Sequence, residues 1–174
     1  TAKLETEAVI ETYIARIDAA FEELRRHIEE YRPDALIVIG DDQDDMFTAS
    51  NNPAICVYTG DEIWGSSLPR YMDLPAEASM IRTKVHVDLA ELLLRQLMKR
   101  GFDPAASSVL KPQGKYPERG TSHMLTYPLP RLVPKLDIPV IPVFLNSYYP
   151  PMPSGKRCWD LGVAIADVFR DRPE

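Results

Sequence analysis

Ala35-Leu36-Ile37-Val38-Ile39-Gly40-Asp41-Asp42-Gln43-Asp44-Asp45 decides how this chain folds. Five apolar residues, four of them Leu, Ile or Val, run without alternation into a glycine, four carboxylates and one amide. A short uninterrupted apolar run predicts a strand covered on both faces of a sheet. The polar half then leaves at the strand's carboxyl end, where open α/β sheets keep their ligands. Four acids around Gln43 repel one another unless a cation, a cluster of donors or open water relieves them. A solvated loop and a ligand site both meet that condition, and both readings stay open at this point.

Upstream, Ile10, Tyr13, Ile14, Ile17, Phe21, Leu24, Ile28 and Tyr31 recur at helical spacing between charges. They predict a long amphipathic helix that ends before Pro33. His27, among Arg25, Arg26 and Glu29, reads as a surface residue. Downstream, Ala54–Tyr58 reads as a strand and 61–73, with Trp64 and Gly65, as a loop. A second helix is expected from about Pro75 to Arg100, broken near Thr83, with a buried stripe of Val85, Leu89, Leu92, Leu93 and Leu97. Gly101 suits its C-cap, and His86 beside the stripe reads as packing.

Ala106–Leu110 reads as a short strand and Pro139–Leu145 as a further one. Within the latter, Pro142 implies an edge, a bulge or an unpaired position. Ser154 is a fitting N-cap for a last helix striped by Leu161, Ile165, Val168 and Phe169. Lys156 and Arg157 in that helix's first turn oppose its dipole, so an anion or a loop carboxylate is expected beside them. Helices alternating with short apolar strands predict a layered α/β fold, a central mostly parallel or mixed sheet flanked by helices.

At 174 residues the chain is a single domain's worth, with 45% hydrophobic and 26% charged residues. A net charge of −6 argues against nucleic acid as a general partner. No apolar run is long enough to span a membrane, and no signal peptide stands at Thr1. Cys56 and Cys158 form neither a disulfide framework nor a metal motif, which suits a cytoplasmic setting. The chain opens without methionine and stops at Arg172-Pro173-Glu174, so 1–174 is expected to be one partial catalytic-type domain of a longer protein. Phosphate-binding loops, GxGxxG, GxSxG and HExxH are all absent. From the residues alone, the acidic loop and His123 give only a possible metal or acid/base site.

Four segments carry a family resemblance. Arg32-Pro33-Asp34-Ala35-Leu36-Ile37-Val38-Ile39-Gly40-Asp41-Asp42-Gln43 resembles the Pro-Asp-strand-Asp-His segment of class III extradiol ring-cleavage dioxygenases. His123-Met124-Leu125-Thr126-Tyr127-Pro128-Leu129 is similar to the family's His-Gly-x-Thr-x-Pro-Leu segment. Val140-Ile141-Pro142-Val143-Phe144-Leu145-Asn146 follows in the same order. Pro150-Pro151-Met152-Pro153-Ser154-Gly155-Lys156-Arg157-Cys158, with Leu161-Gly162 behind it, is the most specific match. The resemblance runs from about Arg32 to Phe169.

It implies a non-haem Fe(II) site of two histidines and a glutamate, which opens a catecholic ring with O₂ beside the diol. Carried over by residue, His123 aligns with an active-site histidine beside substrate and O₂. Gln43 stands where a metal histidine is expected, with Asp41 or Asp42 as the substitute ligand. The remaining ligands fall outside Thr1–Glu174. Lys156, Arg157 and Tyr148 are candidates to face the substrate. A homo-oligomer or a complex with a small accessory subunit is the assembly implied. A non-catalytic or non-redox relative acting as a binding protein is the alternative, and a hydrolase using Asp41, Asp42 and His123 a third.

Overall fold

A computed structural model describes residues 5–121 and 123–170; residues 172–174, on which part of the expectation of a longer protein rests, lie outside the described residues. Helix α1 spans Glu7–Tyr31 and stops where Arg32 turns left-handed (φ 51°) and returns its N–H to the Ile28 carbonyl. The chain then enters β1, Leu36–Asp41. Next come β2, Ile55–Tyr58, and β3, Glu62–Ser66. Strand β4, Met80–Lys84, precedes α2, Val87–Lys99, and β5, Ala105–Ser107. Two single-turn helices follow, α3 at His123–Thr126 and α4 at Leu129–Leu132. Strand β6, Val140–Leu145, and helix α5, Gly155–Arg170, complete the order.

Four strands make a mixed sheet in the order β1-β6-β2-β5, in which β1 and β6 run parallel and β2 opposes β6. Helices flank it, as the alternation of elements predicts. Because β1 and β6 are parallel, the loops leaving Asp41 and Leu145 emerge at one edge of the sheet. The core joins β2 and β6 to Ala90, Leu93 and Leu97 of α2 and to Leu161, Ile165 and Val168 of α5. Ser154 Oγ accepts the Arg157 N–H at 3.2 Å, the expected N-cap of α5. Gly101 takes φ 77° just beyond α2, also as expected. His86 flanks α2, receiving the Ala90 N–H on its carbonyl and donating its own N–H to Val140. His27 sits on the exposed face of α1 beside Glu23.

Three expectations are corrected. Strand β1 is not covered on both faces: no described strand pairs with its outer side, and Ile37 and Ile39 remain 37% and 46% exposed. Residues 62–66 are not loop, and 80–84 are not helix. They pair as the antiparallel β3–β4 hairpin, from Glu62↔Lys84 to Ser66↔Met80. Helix α2 therefore begins only at Val87. Pro142, by contrast, lies in an interior strand, one residue past the last β2–β6 pair, Val57↔Val143. That is an unpaired position on the β2 side, where a missing N–H is tolerated.

Candidate active site

The acidic loop is held from within and from outside. Asp42, at the end of β1, is buried, and its two carboxylate oxygens accept the backbone N–H groups of Met46 (2.8 Å) and Phe47 (2.9 Å). Burial pushes its carboxyl up to about 6; those two N–H donors pull the other way, and Asp45 adds to the rise. Met46 enters the core, and Phe47 meets Phe144 edge to face at 5.8 Å. From outside, Gln113, Gly114 and Lys115 donate their backbone N–H groups to the carbonyls of Met46, Asp45 and Asp44. That strap requires Gly114, since a Cβ there would stand 1.8 Å from the Asp44 carbonyl oxygen.

His123 opens α3, which lies against β1 and β3. Gly40 sets the approach: a Cβ on it would fall 2.5 Å from the Cβ of Met124. The His123 Nδ1 stands 3.3 Å from Asp45 Oδ2, which is also 3.5 Å from the His123 backbone nitrogen. On the other side, Nε2 lies 3.7 Å from Asp41 Oδ1, longer than a hydrogen bond. The hydrogen bond from Asp45 raises the imidazole above its ordinary pKa; burial opposes this, and the charges of Asp45, Asp41 and Asp42 reinforce it. Asp41 accepts the Gln43 amide (2.6 Å) and the Ser147 hydroxyl (3.2 Å). Burial works against its ionisation, but Gln43, Ser147 and His123 outweigh that and hold the carboxyl below its usual value.

The ring of His123 faces a cavity of about 370 Å³, lined also by Gln43, Asp45, Tyr116, Arg119 and Tyr127. Arg119 braces one wall, donating to Ser66 Oγ and to the Leu68 and Leu74 carbonyls. The hollow has tyrosine walls and carries one imidazole, one guanidinium and the Asp45 carboxylate.

Of the residues singled out from sequence, the structure brings Asp41, Gln43 and His123 together, with Asp42 immediately behind them. Lys156 is elsewhere, paired with Asp160 one helical turn on at 2.7 Å. Arg157 stacks 4.0 Å over Phe102 and donates to the Gly101 carbonyl. Tyr148 packs edge to face on Tyr149 outside the cavity lining. Sequence reasoning missed Asp45 as the histidine's partner, although it lies within the same acidic run. It also missed Tyr116 and Arg119, which no local pattern marks.

These residues do not fit the Fe(II) ligand set that the resemblance implies. Asp42 has both oxygens committed to backbone donors, and Gln43 turns its amide nitrogen, which cannot ligate, toward Asp41. Among the described residues, no three His, Cys, Asp or Glu side chains form a group able to hold a metal ion.

The mixed α/β sheet sets His123 beside Asp45 and Asp41 at the carboxyl edge of its parallel pair, the position where open α/β sheets keep their ligands. The family model for the catalytic LigB subunit of aromatic ring-opening dioxygenase matches residues 6–172, and the chain belongs to that family. A 2,3-dihydroxyphenylpropionate/2,3-dihydroxicinnamic acid 1,2-dioxygenase of Klebsiella pneumoniae is 27% identical over 86% of this chain and 42% of its own length. The enzyme of the same description from Escherichia coli O139:H28 is 29% identical over 81% of this chain and 40% of its own. The chain thus spans about two fifths of the length of the curated relatives it matches. Among solved structures, pyrrolidone carboxyl peptidase of Pyrococcus furiosus (E192D mutant) aligns with a TM-score of 0.48 at 14% identity, over 86% of this chain and 74% of that one. A putative methylthioadenosine nucleosidase of Weissella paramesenteroides gives 0.49 at 15%, over 86% and 73%. No helix of the described residues is long and apolar enough to cross a membrane.

Proposed function

We propose that this chain supplies the diol-facing wall of a ring-opening dioxygenase, with His123 as its proton-handling residue. The observation that carries the reading is the imidazole held between Asp45 and Asp41 on the wall of the aromatic-lined cavity. The hydrogen bond with Asp45 raises the ring's affinity for a proton. Nδ1–H is anchored on Asp45. Nε2, 3.7 Å from Asp41 Oδ1, is the ring nitrogen proposed to meet a ligand hydroxyl. A catechol bound there would give its hydroxyl proton to Nε2, and His123 would return that proton to the opened product. Gln43 and Ser147 favour the ionised form of Asp41, and its charge in turn favours the protonated ring.

Gln43 favours a second reading, a diol-binding protein of the same family without ring cleavage. The two separate in one experiment. The full-length protein is incubated anaerobically with Fe(II) and presented with a catechol panel including 3-(2,3-dihydroxyphenyl)propionate, binding being followed by tyrosine and tryptophan fluorescence before O₂ is admitted. Yellow ring-fission product with O₂ uptake, lost in His123→Ala while diol binding persists, supports the first reading. Binding without turnover supports the second. Failure to bind any catechol overturns both.

A further inference from the structure

Thr121 and Thr126 line the His123 cavity at 4% and 0% exposure, and the Oγ1 of each is buried with no hydrogen-bond partner among the described residues. Gly65 of β3 draws both inward: a Cβ on it would stand 2.8 Å from Thr126 Cγ2 and 3.0 Å from the Thr121 nitrogen. Thr121 is fixed there by donating its N–H to the Trp64 carbonyl at 2.8 Å. A buried hydroxyl without a partner has lost its bonds to water and gained none. Two of them on one hollow call for a polar group that enters it. Thr83 Oγ1 is also unpartnered, but Thr83 stands outside the lining.

Arg119 lines the same cavity. Its Nη1 serves Ser66 Oγ and the Leu68 carbonyl and its Nη2 the Leu74 carbonyl, so Nε–H and the second Nη2–H have no acceptor among the described residues. Ser66 Oγ is itself taken, by Arg119 and by Ser79 Oγ at 2.7 Å. The sole carboxylate among the described lining residues, Asp45, is engaged by His123. What this side of the cavity offers is therefore donors and one positive charge. We propose that Arg119, Thr121 and Thr126 form a subsite for a carboxylate carried by the ligand whose hydroxyls meet His123. The subsite rests on that role of His123 and adds the ligand's second anchor. His123 and Thr126 stand three residues apart on α3, roughly 5–6 Å between Cβ atoms, a span that suits a small phenolic acid. The guanidinium supplies charge and paired N–H groups, and the two hydroxyls complete the carboxylate's bonds. A ligand without the acid leaves those buried donors unmet, so the subsite discriminates against it.

The test measures anaerobic binding to the full-length protein with Fe(II), by fluorescence, of 3-(2,3-dihydroxyphenyl)propionate, 3-propylcatechol and 3-phenylpropionate. The diol acid is expected to bind about 100-fold tighter than 3-propylcatechol. Thr121→Val and Thr126→Val should each cut that ratio about 10-fold. Their Tm should hold or rise, since each removes an unpaired hydroxyl. Thr83→Val should leave the ratio as it is. A native ratio near one overturns the subsite and leaves the role of His123 standing. A ratio that Thr83→Val lowers equally, or a Tm lowered by Thr121→Val or Thr126→Val, also overturns the subsite. If neither catechol binds but 3-phenylpropionate does, and Thr126→Val weakens it, the subsite stands and the role of His123 falls. If none of the three binds, both fall.

Discussion

Strands β1 and β6 are neighbours in register, Ile37 beside Ile141 and Ile39 beside Val143, and both are uninterrupted apolar runs. Their fates differ. Ile141, Val143 and Phe144 are sealed, whereas Ile37 and Ile39 keep more than a third of their surface in water. The difference is one of position: among the described residues, β6 has a strand on each side and β1 on one. An apolar run therefore reports that a segment joins the sheet, and its coverage is decided by what lies beyond. The same contrast separates the site's two supports, since β6 delivers Ser147 from a rigid centre and β1 delivers Asp41 from an open edge.

Truncating side chains on the two strands sets this contrast at its widest. Phe144→Ala should cost about 3–5 kcal/mol in denaturant unfolding, because it empties the core and strands Phe47. Ile39→Ala should cost under about 1 kcal/mol; equal losses would show that the outer face of β1 is buried in solution. Gly40→Ala, where β1 meets α3, should cost about 1–3 kcal/mol, and by displacing Met124 it should weaken diol binding as well.

A smaller effect is read against pH. Asp42 binds its proton more tightly folded than unfolded, so stability falls as pH rises from about 4 to about 6, by roughly 2–3 kcal/mol. His123 has the same sign in a higher window: its contribution is complete below the unfolded imidazole value of 6.5 and is lost as pH climbs through the raised folded one. Thermal melts from pH 4 to 9 should show two successive declines. Asp42→Asn should remove the first and His123→Ala the second.

What the sequence disclosed follows from how local each signal is. Strand β2, strand β6, the Ser154 cap and the Gly101 stop are written in contiguous residues and stand as read. The β3–β4 hairpin was hidden because Gly65 interrupts its alternation and its partner strand begins with Met80-Ile81, which also suits a helix. The acidic loop and His123 announced a site through composition and family resemblance. The grip of Asp45 on His123, the wall made by Arg119 and Tyr116, and the Gln113–Lys115 strap depend on contacts distant in the chain. Lys156 illustrates the opposite lapse: its partner Asp160 lies at i,i+4, a spacing visible without any structure.

The pairing of β1 with β6 has a kinetic side. Leu36 meets Val140, a separation of about 100 residues, and the strap joins Asp44–Met46 to Gln113–Lys115 across about 70. Loops of that size close slowly, after the hairpin and helices that need only near neighbours. The cluster around His123 thus waits on contacts of high sequence separation. Until then Ile37 and Ile39 belong to a strand unpaired on both sides, the stage at which a nascent chain most needs protection from its own kind.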